Sequence, residues 1–136
     1  MPGAGDCFLI ETNIDEGGFI RKHLHVVLLD YEGRTGTTII VDIESFESDK
    51  QDQTRLLNAG CHPFVKHKSF VNYRRAKTYS KLDLEKLVRE GKAEPKEPMP
   101  LETLEYIISG MRESTRTRPP VKSYFENKYW DKLMKK

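Results

Sequence analysis

Between Cys61 and Lys77 the chain collects two of its four histidines (His62, His67), five cations (Lys66, Lys68, Arg74, Arg75, Lys77) and three aromatics (Phe64, Phe70, Tyr73). No acidic residue lies between Asp52 and Asp83. Clustered cations attract a polyanion and track its phosphates, and aromatic faces among them can stack bases. The same stretch alternates in a strand-like way, which lets one face carry charge while the other is buried. His62, Lys66, His67, Lys68, Tyr73, Arg74 and Arg75 are therefore the residues expected to meet an anionic ligand. Each has a plainer reading beside that one. His62 before Pro63 suits a tight turn, Lys66-His67-Lys68 suits a solvated run of charge, and Phe64, Phe70 and Tyr73 suit a core.

A second place with chemical capacity is His23-Leu24-His25. Flanking Leu24 in a strand, the two imidazoles share a face; imidazole titrates near neutral pH and serves readily as acid or base. A half-buried surface pair is the alternative. With Cys61, His62 and His67 they offer enough donors for zinc. The Cys61-His62 adjacency is poor ligand geometry, however, and the spacing fits no structural zinc module, so neither metal nor cofactor is expected. Nothing near Cys61 marks the base and orienter that a cysteine nucleophile needs.

The elements that must position these residues follow from periodicity. Residues 7–12 form a short β-rich run, followed by a polar loop with two glycines. Residues 23–30 and 37–43 are densely aliphatic and flank a glycine-bearing turn, which predicts a hairpin of two central strands buried on both faces, as in a small closed barrel. Residues 44–53 are polar and read as a loop, with a helical turn over 54–58 before Gly60. A bend near Lys68-Ser69 then lets residues 70–78 form a strand with Val71 and Tyr73 inward. Ser80 is a helix cap with Asp83 three residues on, and Leu84, Leu87 and Val88 make the apolar stripe of a helix stopped by Gly91. Three prolines over 92–100 predict an extended, exposed connector. Leu101, Leu104, Ile107, Ile108 and Met111 predict a second helix, and aromatics up to Trp130 anchor a short third.

The result is a mainly β fold with appended helices: a small β-barrel with its helix over 1–90, a proline-rich connector over 91–100 and a helical extension over 101–136, in one compact unit. Its 136 residues suit a single domain with a modest core, and the net charge of +2 says less about partners than the local clustering does. Two cysteines without CxxC spacing fit a reducing interior. No apolar run approaches the ~18 residues of a membrane span and the first residues lack a signal-peptide layout, so a soluble, cytoplasmic protein is expected.

The Gly5-Asp6 strand, the glycine-bearing loop, the His23–Leu29 strand, Ile39-Ile40-Val41-Asp42-Ile43-Glu44-Ser45, and Lys66–Val71 leading into Lys81–Leu87 resemble, in order and spacing, the PemK/MazF-type toxins. The resemblance covers roughly residues 4 to 90 and implies an SH3-like barrel, usually a homodimer, held in check by a cognate antitoxin. It further implies a metal-independent endoribonuclease in which the 2′-hydroxyl of single-stranded RNA attacks the adjacent phosphate. The family's arginine falls on Arg21, with Lys22 beside it where the family carries proline, and its serine or threonine falls on Ser45. A guanidinium there would hold the phosphate, and a hydroxyl would orient an attacking or phosphate oxygen. His23 or His25 is the alternative acid or base. The competing reading keeps the barrel without the chemistry, as a module that binds nucleic acid or a protein through its basic strand.

Overall fold

The computed structural model describes residues 3–12, 21–31 and 36–134, with the side chains of Thr12, Arg21 and residues 129–134 outside that description. Six strands, β1 (Cys7–Thr12), β2 (Arg21–Val27), β3 (Thr37–Ser45), β4 (Leu56–Leu57), β5 (Ser69–Ser80) and β6 (Ala93–Lys96), form one sheet in the order β4-β5-β3-β2-β1-β6. Every pairing is antiparallel, and the curled sheet makes half a barrel with three helices around it. The helices are α1 (Lys81–Arg89), α2 (Leu101–Glu113) and α3 (Pro119–Met134). Among the described residues no helix is long and apolar enough to cross a membrane.

The near-continuous aliphatic run of β3 has the burial it predicts: Ile39, Ile40, Val41 and Ile43 are all buried, alternating between two cores. The larger core joins Leu24, Val26, Val41, Val71 and Tyr73 to Leu104, Ile107 and Met111 of α2 and to Val121 and Phe125 of α3. The smaller, on the opposite face, joins Ile10, Val27, Ile40 and Ala93 to Leu84 of α1. Ser80 caps α1, its hydroxyl accepting from the Asp83 N–H at 3.0 Å.

Three expectations are corrected. The stretch around residue 56 is not a helical turn but the short edge strand β4, paired with Ser69 and Phe70. The supposedly free connector contains β6, whose residues 93–96 pair with Ile10 back to Cys7; its Pro95 sits on this sheet edge, where the missing N–H breaks no ladder. The third helix is long, at 16 residues.

An irregularity in the ladder decides how β5 distributes its charge. Between the pairs Ile40↔Lys77 and Asp42↔Asn72, β3 advances two residues while β5 advances five. The extra length resets the alternation of β5, so Val71, Tyr73 and Ala76 all point into the larger core while Arg74 and Arg75 stay exposed.

Candidate functional site

Three stretches distant in sequence meet at one end of the sheet, around a cleft of about 610 Å³. Lys22 and His23 come from the start of β2, Glu44 and Ser45 from the end of β3, and Lys66 and His67 from the loop before β5. The antiparallel ladder fixes their relative heights: Leu24 opposes Ile43, and Ser45 opposes Ser69. The loop is held by its own bonds, with the Ser69 hydroxyl donating to the His67 carbonyl at 2.9 Å.

Of the residues expected to act, Lys22, His23, Ser45, Lys66 and His67 are thus brought together. Lys22 is paired with Glu94 at 2.9 Å, which raises the lysine pKa and lowers that of the glutamate. The Arg21 side chain lies outside the described residues. Arg74 and Arg75 are exposed on β5, and Lys68 lies over the Phe46 ring at 5.4 Å. None of these last three lines the cleft.

Three others are taken out of the site by burial. His25 is almost fully buried, and desolvation pushes its pKa down to about 4, so it stays neutral; a ring nitrogen lies 2.9 Å from the His23 carbonyl. His62 is buried with both ring nitrogens on backbone groups: one accepts from the Phe64 N–H at 3.1 Å and the other donates to the Glu97 carbonyl at 2.6 Å. It pins the loop to the segment after β6 and presents nothing to an anion. Tyr73 is fully buried, its hydroxyl donating to the Ile107 carbonyl of α2 at 2.6 Å, so it cannot stack on a base. The plainer readings of His62 and Tyr73 prevail because the chain around them closes.

Beside His23, the site includes two carboxyls and an amide that sequence reasoning passed over. Asp42 lies in the middle of β3, opposite both His25 and Asn72, with its side chain 1% exposed. The basic groups beside it are a His23 ring nitrogen at 3.7 Å and the Arg75 guanidinium at 3.9 Å, both beyond hydrogen-bond range. No donor among the described residues reaches either carboxylate oxygen. Two residues along the strand, Glu44 accepts from the Asn72 amide at 2.6 Å. Burial first, and then the nearby Glu44 charge, hold the Asp42 pKa well above the usual carboxylate range, with Arg75 pulling the other way. A proton shared by the two carboxyls makes a hydrogen bond that two carboxylates cannot. The signal was present in the sequence, since an acid inside a run buried on both faces is out of place on packing grounds alone.

The zinc donors considered from sequence do not assemble. Among the described residues the group with metal-ligand proximity is instead His23, Asp42 and Glu44, whose ligand atoms lie within 4.8 Å of one another. Burial raises the pKa of both thiols, that of Cys7 to about 12, which keeps them protonated and unreactive. Comparison with known protein families, with curated proteins and with solved structures returns no match, so the function rests on this geometry alone.

Proposed function

We propose that the cleft binds single-stranded RNA and cleaves it, the chain acting as a toxin-like endoribonuclease on an SH3-like barrel of the PemK/MazF type. The observation that carries the proposal is the convergence of Lys22, His23, Ser45, Lys66 and His67 from three separate stretches on one cleft. In-line transesterification needs a base for the 2′-hydroxyl, an acid for the leaving oxygen, and cations for the charge that grows on phosphorus. In this reading His23, which lies beside the Asp42 and Glu44 carboxyls, takes the 2′-hydroxyl proton. The O2′–P bond forms as the P–O5′ bond breaks, and His67 returns a proton to O5′. The products are a 2′,3′-cyclic phosphate and a 5′-hydroxyl, and no metal ion takes part. Lys66 and Arg21 hold the phosphate, and Ser45 orients it. A second copy of the chain and a cognate antitoxin are the protein partners of this reading, and the cytoplasm is its compartment.

The test is incubation of the purified chain with a diverse single-stranded RNA pool in the presence of a chelator. Fragments with cyclic phosphate ends are expected, and Arg21→Ala and Ser45→Ala should each abolish them. An intact pool at high protein concentration ends the enzyme reading. A binding module without turnover is favoured by one observation: Glu44 and Glu47 also line the cleft, and Lys22 is already neutralised by Glu94. In that case the RNA is retained uncut, with steep salt dependence, and retention is lost when Lys66, Lys68 and Arg74 are neutralised together.

A further inference from the structure

We infer that His23, Asp42 and Glu44 form a binding site for a borderline divalent cation, Zn²⁺ in the first place, at the wall of the cleft. The three residues offer one imidazole nitrogen and two carboxylate oxygens, all within 4.8 Å of one another. Zinc bonds of about 2.0–2.2 Å to such ligands place tetrahedral donors a little over 3 Å apart. The 3.7 Å between a His23 ring nitrogen and an Asp42 oxygen is close to that already. Glu44, half-buried at the end of its strand, has its carboxylate within 4.8 Å of both other donors. Three protein ligands leave a fourth position facing the cleft for water or a ligand oxygen.

Proximity of acids alone would not carry this. The independent observation is Asp42: its side chain is 1% exposed, and neither oxygen has a hydrogen-bond donor among the described residues. A buried polar atom without a partner carries a full desolvation cost, and it points here toward the other two donors. The Arg75 guanidinium at 3.9 Å answers part of the charge but makes no hydrogen bond, and its side chain, 45% exposed, can swing to solvent when a cation binds. The amide of Asn72 holds Glu44 from outside the set, as the supporting partner that ligating carboxylates commonly have. The donor chemistry suits a metal that accepts imidazole and carboxylate together, rather than one that demands thiolate or six oxygens.

The cation site does not depend on whether the chain cleaves RNA. If it does, an occupied site withdraws His23 from proton transfer, and Zn²⁺ inhibits cleavage.

The test is titration of the full, metal-stripped chain with Zn²⁺ by calorimetry and with Co²⁺ by visible absorption. One equivalent should bind, and the Co²⁺ spectrum should show low-coordinate d–d bands without a thiolate charge-transfer band, which sets aside Cys61. His23→Gln and Glu44→Gln should each weaken binding by at least about tenfold, while Asp49→Asn, an exposed acid elsewhere, leaves it unchanged. Asp42→Asn should abolish it; if that chain does not fold, the two half-buried positions decide the matter. Absence of stoichiometric binding, or binding unmoved by His23→Gln and Glu44→Gln, overturns the site and leaves a proton-sharing carboxyl pair.

Discussion

Acid acts in opposite directions on two buried groups that face each other across β2 and β3, and single substitutions separate them. His25 is pushed down from an ordinary value of 6.5 to about 4, chiefly by burial. Between those values the unfolded chain carries a proton on this imidazole that the folded chain refuses, so stability falls as the pH drops through the window. At about 1.4 kcal/mol per pH unit, the loss reaches about 3 kcal/mol by pH 4. Asp42 works the other way. Its folded pKa is raised by burial and by Glu44, so the folded chain takes up a proton while the unfolded carboxyl is still ionised. Acid therefore favours the fold until the unfolded carboxyl protonates too, near 4. In the wild type the two slopes offset each other. The wild type should lose about 3 kcal/mol more than His25→Gln between pH 6.5 and 4, and Asp42→Asn, which removes the offset, should lose more than the wild type. Glutamine at 25 can still reach the His23 carbonyl but does not titrate. Urea unfolding followed by circular dichroism across this range gives the three curves. Parallel curves for the wild type and Asp42→Asn, or an undiminished acid loss in His25→Gln, refute the reasoning.

Two further outcomes test the packing that holds the site. A Cβ on Gly110 of α2 would lie 2.7 Å from the Tyr73 ring and 2.6 Å from the Arg55 stem. Gly110→Ala should therefore destabilise by about 1–3 kcal/mol, despite the roughly 1 kcal/mol that alanine gains in a helix, and Tyr73→Phe in the same chain should recover part of the loss. Chemical denaturation of the two single variants and the double variant measures this. Ser80→Ala removes the hydroxyl that caps α1 and should cost about 1 kcal/mol by the same measurement.

How much of the fold was legible in the sequence depends on whether the deciding contacts were local. The Ser80 cap, the stripe of α2 and the inward Val71 and Tyr73 of β5 follow from spacing, because a helix or strand imposes its own period on neighbouring residues. The strand within 93–96 did not, because its partner lies more than 80 residues earlier and its proline, with two more just beyond it, mimics an open linker. The same holds for the site. That Lys66 and His67 share a cleft with Lys22 and Ser45 is settled by the ladder between β3 and β5. His62 looked like part of a basic patch, but its ring is consumed by the backbone of Phe64 and Glu97.

Asp42 is where the chain departs most from what folding alone would favour. A buried carboxylate in a central strand costs several kcal/mol, and replacing such a charge with an apolar residue of like volume is often stabilising. The strand beside it is irregular at the same point: β5 takes five residues over the span in which β3 takes two, and Arg75 from that excess lies nearest to Asp42 on its side. A regular ladder would have left the carboxyl without its cation, and an aliphatic residue would have made the cation unnecessary. Two departures from local rule that answer each other, beside a cleft already holding His23 and Glu44, are hard to account for as packing. Conflicts of this kind are expected where a site, rather than the core, sets the residue. On that ground any chemistry of the cleft is to be sought at its His23–Asp42–Glu44 corner, and of the basic stretch only Lys66 and His67 line the same cleft.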